Sequence, residues 1–516
     1  MIQSNVVAVN HPLVSLSYFE TVVRYYTFFD ACPNAVPLVL EAFVDQRGLH
    51  HSADRVRYRT YYTFHRFVKL LKKVDIGPYV QTVLNALQDL LGVQAQAPTM
   101  NSTGSADDLA TDKAFDSQVY LFETAGSLAT YPSLDANVKG QYLKAVLDPL
   151  LSQAQTLVQA GTLAATSDDY SVWQLHHLLM AIGSVAKGVP EAPKQGPMPW
   201  TAQLTQATEI TLLGLNAGGR FPIVRDASRF AFARLSTCLG LDSLQFLPVL
   251  IQRLLADCSM PEFTDFLGFM DLIMYKFKPT IISTLNELVL PLAEKVFAFL
   301  DSKPLGTDDA IQQVDLKKGY LNFLATIIYT DMSSVLLTDT NKPQLMGLLQ
   351  SILPLATTPD QPEVQKMAFN LLGRLAQAWL GQYQPTSDSS PGNPKPSSKP
   401  GQPVPIARHP VVPIAPSDQE ALLQFYYERV VPLCFEVAMK PTITLADSAN
   451  VLVFYELAYL LQVLQVRADP QFSEYVATRV LPSIQCPPNM CTEFAQALQS
   501  LDIKEFRKYF QRFVGK

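Results

Sequence analysis

Three segments of this chain superpose without gaps although they lie far apart: VRYRTYYTFHRFV from Val56, VRDASRFAFARLS from Val224 and VQKMAFNLLGRLA from Val364. Each opens on Val and carries a small residue three or four positions on. Eight positions on stands an aromatic or Leu (Phe64, Phe232, Leu372), and ten positions on stands Arg (Arg66, Arg234, Arg374). Apolar residues at this spacing share one side of a helix, and a single helix pair cannot cover that side by itself. A recurring unit of this kind therefore folds by stacking on its neighbours, with the small residue admitting the partner helix closely.

This pattern resembles the second helix of HEAT repeats. The rest of the chain agrees with it, because no run alternates in the β manner between turn signals, whereas helical spacing recurs from Pro12 to Val514. The expected fold is an all-α solenoid, a superhelix of HEAT-like antiparallel helix pairs. Residues 1–381 are expected to form that solenoid, interrupted by a low-complexity loop at 94–112. The tract 382–417, rich in Pro, Ser and Gly, buries too little apolar surface to offset its ordering entropy and reads as a disordered insertion. HEAT-like helices resume over 418–516. A break is expected in the helical pattern near Leu147 and Pro149, and a short helix over Met332–Leu337.

Apolar residues make up 48% of the 516, ample for burial, and the net charge is only −6, so any basic cluster is a local feature. The most pronounced cluster is AFVDQRGLHHSADRVRYRTYYTFHRFVKLLKKV, Ala42–Val74. Its turn, Asp45–His51, precedes a helix expected to start at Ser52 or Asp54 and to run to Val74. At about 100° per residue, Arg55, Arg59, Arg66, Lys69 and Lys73 fall within an arc of roughly 80°. Val56, Thr60, Phe64, Phe67, Leu71 and Val74 lie opposite. Asp54 is the one acid between Arg47 and Lys73, so the ridge cannot neutralise itself through its own helical neighbours. It either faces a polyanion, with Arg47 and His51 as further contacts, or is a solvated face paired with acids from adjacent helices. The run Lys504, Arg507, Lys508 and Arg512 is a second candidate ridge; the alternative is that these charges simply suit a helix C-terminus. Arg234 and Arg374 are expected to cap neighbouring carbonyls or to pair with acids.

No phosphate-cradling, nucleophile-elbow, zinc-protease or dinucleotide motif occurs, and no cofactor is implied. His176 and His177 are adjacent on a helix, where neighbouring side chains are expected to diverge and so not chelate. Asp168 with Asp169, and Asp308 with Asp309, stand at helix starts, where carboxylates complement the dipole. The six cysteines have neither metal nor disulfide spacing, and no stretch of about 18 uninterrupted apolar residues suggests a membrane span. A non-enzymatic, soluble protein of the cytosol or nucleus is the expectation.

QRGLHHSADRVRYRTYYTFHRFVKLL resembles a stretch of the tRNA nuclear export receptors, the exportin-T family of the importin-β superfamily. So do HPLVSLSYFETVVRYYTFF, LFETAGSL at Leu121, KPTITLADSANVL at Lys440 and EFAQALQSLDIKEFRKYFQRF. The resemblance implies a right-handed HEAT superhelix that wraps mature tRNA together with RanGTP, meets nucleoporins and shuttles between nucleus and cytoplasm. It matches the C-terminal half of the family, so the N-terminal repeats that make the main Ran contact are expected to be missing, as in a fragment or an incomplete gene model. The alternative class is a protein-only HEAT scaffold or transport adaptor whose ridge docks on an acidic protein surface.

Overall fold

The computed structural model describes residues 2, 6–9, 11–95, 113–164, 169–193, 196, 198–381, 414–467 and 471–515. These residues form helices joined by short turns, and no strand is found among them. The chain divides into two compact units, Met1–Cys258 and Ser259–Lys516.

In the first unit the helices are α1 (Pro12–Arg24), α2 (Phe28–Ala31), α3 (Val36–Val44), α4 (Asp54–Leu70), α5 (Val80–Leu87) and α6 (Lys113–Ala129). There follow α7 (Ala136–Gln159), α8 (Asp169–Gly188), α9 (Thr201–Gly218), α10 (Pro222–Leu239) and α11 (Leu247–Ala256). Helices α1, α4, α6, α8 and α10 pack side by side in that order as one row, and α7 and α9 pack together in a second row against it. The seam between the rows is filled by Phe122, Leu143, Leu147, Leu178, Ile182, Leu204 and Leu235. Close packing along the first row depends on glycine. A Cβ on Gly126 of α6 would lie 2.1 Å from the Val185 carbonyl oxygen of α8, and one on Gly188 would lie 2.0 Å from that of Glu123. Only a hydrogen fits at either place.

The second unit comprises α12 (Met260–Phe277), α13 (Ile282–Leu300), α14 (Thr307–Tyr329), α15 (Leu345–Thr357), α16 (Pro362–Trp379), α17 (Pro416–Phe425) and α18 (Val431–Met439). It is completed by α19 (Ser448–Arg467), α20 (Phe472–Tyr475), α21 (Leu481–Ser483), α22 (Pro488–Ser500) and α23 (Ile503–Phe513). Its row runs α12, α14, α16, α19, α23. Two π-helical turns, Tyr426–Val430 and Val476–Val480, join α17 to α18 and α20 to α21. Each ends two residues ahead of a proline, Pro432 and Pro482. A proline inside a helix removes one N–H and crowds the carbonyl a turn earlier, and the wider turn relieves both problems. The Tyr475 hydroxyl donates to the Tyr427 carbonyl at 2.9 Å and so occupies an acceptor of the first wide turn.

The repeat seen in the sequence occupies equivalent places in the rows. Val56, Val224 and Val364 are wholly buried on α4, α10 and α16, and so are Phe64, Leu372 and, within 1%, Phe232. The unit boundary falls at Cys258 rather than at the low-complexity tract, and that tract interrupts the second unit, since α16 before it packs on α19 after it. Residues 96–112 and 382–413, which hold most of the two tracts expected to be loop and insertion, lie outside the described residues. Residues 416 and 417 open α17 instead of closing the insertion.

Other expectations are corrected. The α7 helix runs through Pro149 without a break, and Ser333–Leu337 forms a 3₁₀ turn rather than an α-helix. The basic helix ends at Leu70, not Val74, so Lys73 lies beyond it. Pro222–Ala256 and Ser448–Arg467 are long and apolar enough to cross a membrane by length and mean hydropathy. In the second of these, Val453, Leu457, Leu460, Leu461 and Leu464 are core residues of the second unit, which accounts for its apolarity.

Candidate functional site

Helix α4 starts at Asp54, preceded by Ala53 in extended conformation, and buries Val56, Thr60, Phe64 and Phe67. That burial turns Arg55, Arg59, Arg66 and Lys69 outward, all of them exposed. Arg59 pairs with Glu20 of α1 at 2.9 Å, Lys69 with Glu123 of α6 at 3.4 Å, and Lys73 with Asp30 of α2 at 3.0 Å. Arg55 and Arg66 have no ion-pair partner among the described residues. Three of the five cations are thus paired to acids of neighbouring helices, and two are unpaired among the described residues.

Aromatic rings lie between the cations. The Tyr62 ring lies 5.2 Å from the Arg59 guanidinium and 5.8 Å from that of Arg66, and it packs edge-on against Tyr120 of α6 at 5.1 Å. Rings that hold guanidiniums flat leave their N–H edges free for an anion.

Two sequence candidates are spent inside the fold. His51 is only 2% exposed and its Nδ1 accepts the Ala53 backbone N–H at 3.0 Å, so it does not reach a surface ligand. Arg47 is held within its own turn, its guanidinium 2.6 Å from the Asp45 carboxylate and 3.5 Å from Glu41. Its hydrogen bond to Asp45 raises its pKa further.

Glu123 and Lys187 were not singled out in the sequence. Glu123 is nearly buried, 5% exposed, and holds Lys187 of α8 at 2.7 Å and Lys69 of α4 at 3.4 Å, with His65 at 3.6 Å. Burial pushes the Glu123 carboxyl up, but the Lys187 hydrogen bond and the charges of Lys187, Lys69 and, when protonated, His65 outweigh it and hold the pKa below the usual range. Burial pushes His65 down, which keeps it neutral at pH 7. One carboxylate therefore ties three helices of the row together and leaves a surplus of positive charge. The signal was faint, a lone acid within LFETAGSL.

In the second unit Lys504, Lys508 and Arg512 are exposed at a spacing of four along α23. Arg507 turns inward, its guanidinium 4.6 Å from the Tyr455 ring. The repeat arginines neither cap carbonyls nor pair with acids among the described residues. Arg234 lies over Phe230 at 5.4 Å, and Arg374 lies over Tyr329 at 5.3 Å and Tyr459 at 5.8 Å. His176 and His177 do not diverge, for their Nδ1 atoms approach to 3.0 Å, and burial pushes His176 down to about 4. No group of three or more metal-ligating side chains occurs among the described residues. Asp309 accepts the Leu305 N–H at 2.9 Å at the start of α14, as its position suggested, while Asp168 lies outside the described residues.

Comparison with known proteins agrees with this architecture. The family model for Exportin-T matches residues 1–516. The Exportin-T of Mycosarcoma maydis is 35% identical over all of this chain and 45% of its own length, and that of Coprinopsis cinerea is 30% identical over all of this chain and 46% of its own length. The chain spans about half the length of these relatives. Among solved structures, one described as the cytosolic state of Importin13 matches 98% of this chain and 50% of its own at a TM-score of 0.64 and 13% identity, a likeness of fold alone. Matched by the family model from end to end, and sharing about a third of its residues with these relatives, the chain belongs to the Exportin-T family.

Proposed function

We propose that this chain is the cargo-contacting part of a nuclear export receptor for tRNA and that it performs no chemistry on its cargo. The observation that carries the reading is the charge imbalance on the α4 face. Arg55, Arg59, Arg66, Lys69, Lys73 and Lys187 stand against three partner carboxylates, Glu20, Asp30 and Glu123, so six cations meet three acids. A-form RNA is recognised by shape and through its phosphates, and exposed arginines steadied on tyrosine rings suit that task. Arg55 and Arg66 are the foremost phosphate ligands. Arg59 and Lys73 join them by exchanging a surface ion pair, worth little in water, for a phosphate, and Lys69, itself 68% exposed, reaches a phosphate from the rim of the nearly buried Glu123. Lys504, Lys508 and Arg512 offer a further set of phosphate contacts. RanGTP and nucleoporins are the other partners of this reading, and shuttling between nucleus and cytoplasm is its setting.

The test is filter binding of labelled mature tRNA beside an RNA of equal length that lacks the tRNA fold and its processed ends. Tighter binding of the mature tRNA is expected. Equal binding of both, abolished by an acidic polypeptide at matched charge, would instead favour the protein-only scaffold.

A further inference from the structure

The second unit repeats the arrangement built around Glu123, with one difference. In the first unit a buried glutamate on α6 sits between cations from α4 and α8. In the second unit Glu456 on α19, the helix that packs on both α16 and α23, feels the charges of Arg374 on α16 and Arg507 on α23. Glu123 is bound tightly by its lysines. Glu456 has no ion pair with either arginine among the described residues and takes a hydrogen bond from Asn370 Nδ2 at 2.9 Å instead. Burial raises its pKa against the opposing pull of Asn370, Arg374, Arg507 and Lys366.

The two guanidiniums thus act on Glu456 without a hydrogen bond or ion pair to it among the described residues. Neither donates a hydrogen bond to the described residues, and the Nε–H of each is shut away from solvent without an acceptor. Such unpaired donors are costly and rare in folded proteins. Both groups are nonetheless fixed in orientation, Arg374 between Tyr329 and Tyr459 and Arg507 over Tyr455. A planar guanidinium held this way is suited to grip two oxygens of one anion. Tyr329 is 49% exposed, so part of its ring is open to solvent beside the guanidinium. A cation next to an open aromatic ring suits a nucleotide better than an acidic side chain, because every base offers a flat face to stack.

We propose that Arg374, Arg507 and Tyr329 form a second RNA-contact site, in which each guanidinium takes a phosphate oxygen of the strand and the Tyr329 ring takes an unstacked base beside Arg374. The proposal rests on the RNA-binding reading above but not on the α4 ridge.

The test measures anisotropy of a labelled single-stranded RNA of roughly 12 nucleotides, and in parallel of labelled tRNA, on the full chain. Salt is varied between about 50 and 200 mM. Arg374→Gln and Arg507→Gln should each flatten the log affinity against log salt plot for the single strand by about 0.7. Tyr329→Ala should weaken binding roughly fivefold or more at unchanged slope. Its position at the surface keeps the test open if an arginine variant fails to fold. Unchanged slopes in both arginine variants together with unchanged affinity in Tyr329→Ala overturn the site. So does displacement of the RNA by polyglutamate as readily as by unlabelled RNA of equal charge, which would make an acidic protein the occupant. If tRNA fails to bind while the single strand responds as described, the tRNA reading falls and this site stands. If tRNA binds and none of the three variants alters either RNA, only this site falls.

Discussion

Replacing Glu123 by Gln separates two roles that one carboxylate plays. Gln keeps the shape and removes the charge that holds Lys187 at 2.7 Å and Lys69 at 3.4 Å. The lysines are 40% and 68% exposed, so they return to water instead of being stranded. The loss is therefore that of a charge-assisted hydrogen bond, about 1–2 kcal/mol, and not the larger penalty of an abandoned buried charge. For a unit of this size, about 2–4 °C per kcal/mol, melting of the first unit should fall by roughly 2–8 °C at pH 7. The Glu123 pKa lies below its ordinary value of 4.5 in the fold, so its contribution is present above that pH and is lost as pH falls through the folded pKa. The gap between wild type and variant, followed by circular dichroism, should accordingly close below about pH 4.5. Binding should move the other way. Two ammoniums against one carboxylate give a local charge of +1, and without the carboxylate +2, so Glu123→Gln should bind tRNA more tightly while melting earlier. A variant as stable as wild type at pH 7, or a gap that persists undiminished in acid, would refute the reasoning.

Other perturbations test the fold and the buried charges. Gly126→Ala places a methyl 2.1 Å from the Val185 carbonyl oxygen, and about 1–3 kcal/mol of destabilisation should appear in denaturant unfolding as a lower midpoint. Tyr475→Phe removes the hydroxyl that serves the Tyr427 carbonyl and should cost about 1 kcal/mol, with faster amide exchange in the π turn at Tyr426–Val430. Asp271, buried between α12 and α14, has its pKa pushed up to about 6 by burial against the pull of Thr326 and Asn322. A raised carboxyl stabilises the fold at low pH and loses that contribution as pH rises through about 6. Asp271→Asn should therefore be more stable than wild type at pH 8, by up to about 3 kcal/mol, and gain nothing at pH 4.

Much of this fold could be read from the sequence because helical patterning is local. The buried positions Val56, Val224 and Val364 show in the periodicity itself, as do the outward cations of α4. What escaped is non-local. The acids that pair with Arg59, Lys73 and Lys69 stand 39, 43 and 54 residues away, and no spacing rule links such distances. The end of α4 at Leu70 was equally hidden, since neither Gly nor Pro marks it. The chain beyond it is anchored by distant contacts instead, Lys73 to Asp30 and Asp75 to the Ser133 hydroxyl at 2.7 Å. Burial of His51 came from its turn folding back, with Leu49 N–H bonded to the Phe43 carbonyl at 2.7 Å. The repeat arginines could be located but their partners could not, because rings from neighbouring helices, Tyr329 and Tyr459 for Arg374, replaced the acids that charge alone would suggest.

The claim on which the rest depends is that unpaired cations on α4 meet RNA phosphates. The most direct measurement is the slope of log affinity for mature tRNA against log salt, for wild type and for the Arg55→Gln, Arg66→Gln double variant. Both side chains are exposed and hold no acid, so the fold should be unaffected. A slope shallower by about two, one unit for each lost contact, is the predicted result. A slope equal to that of wild type would contradict it.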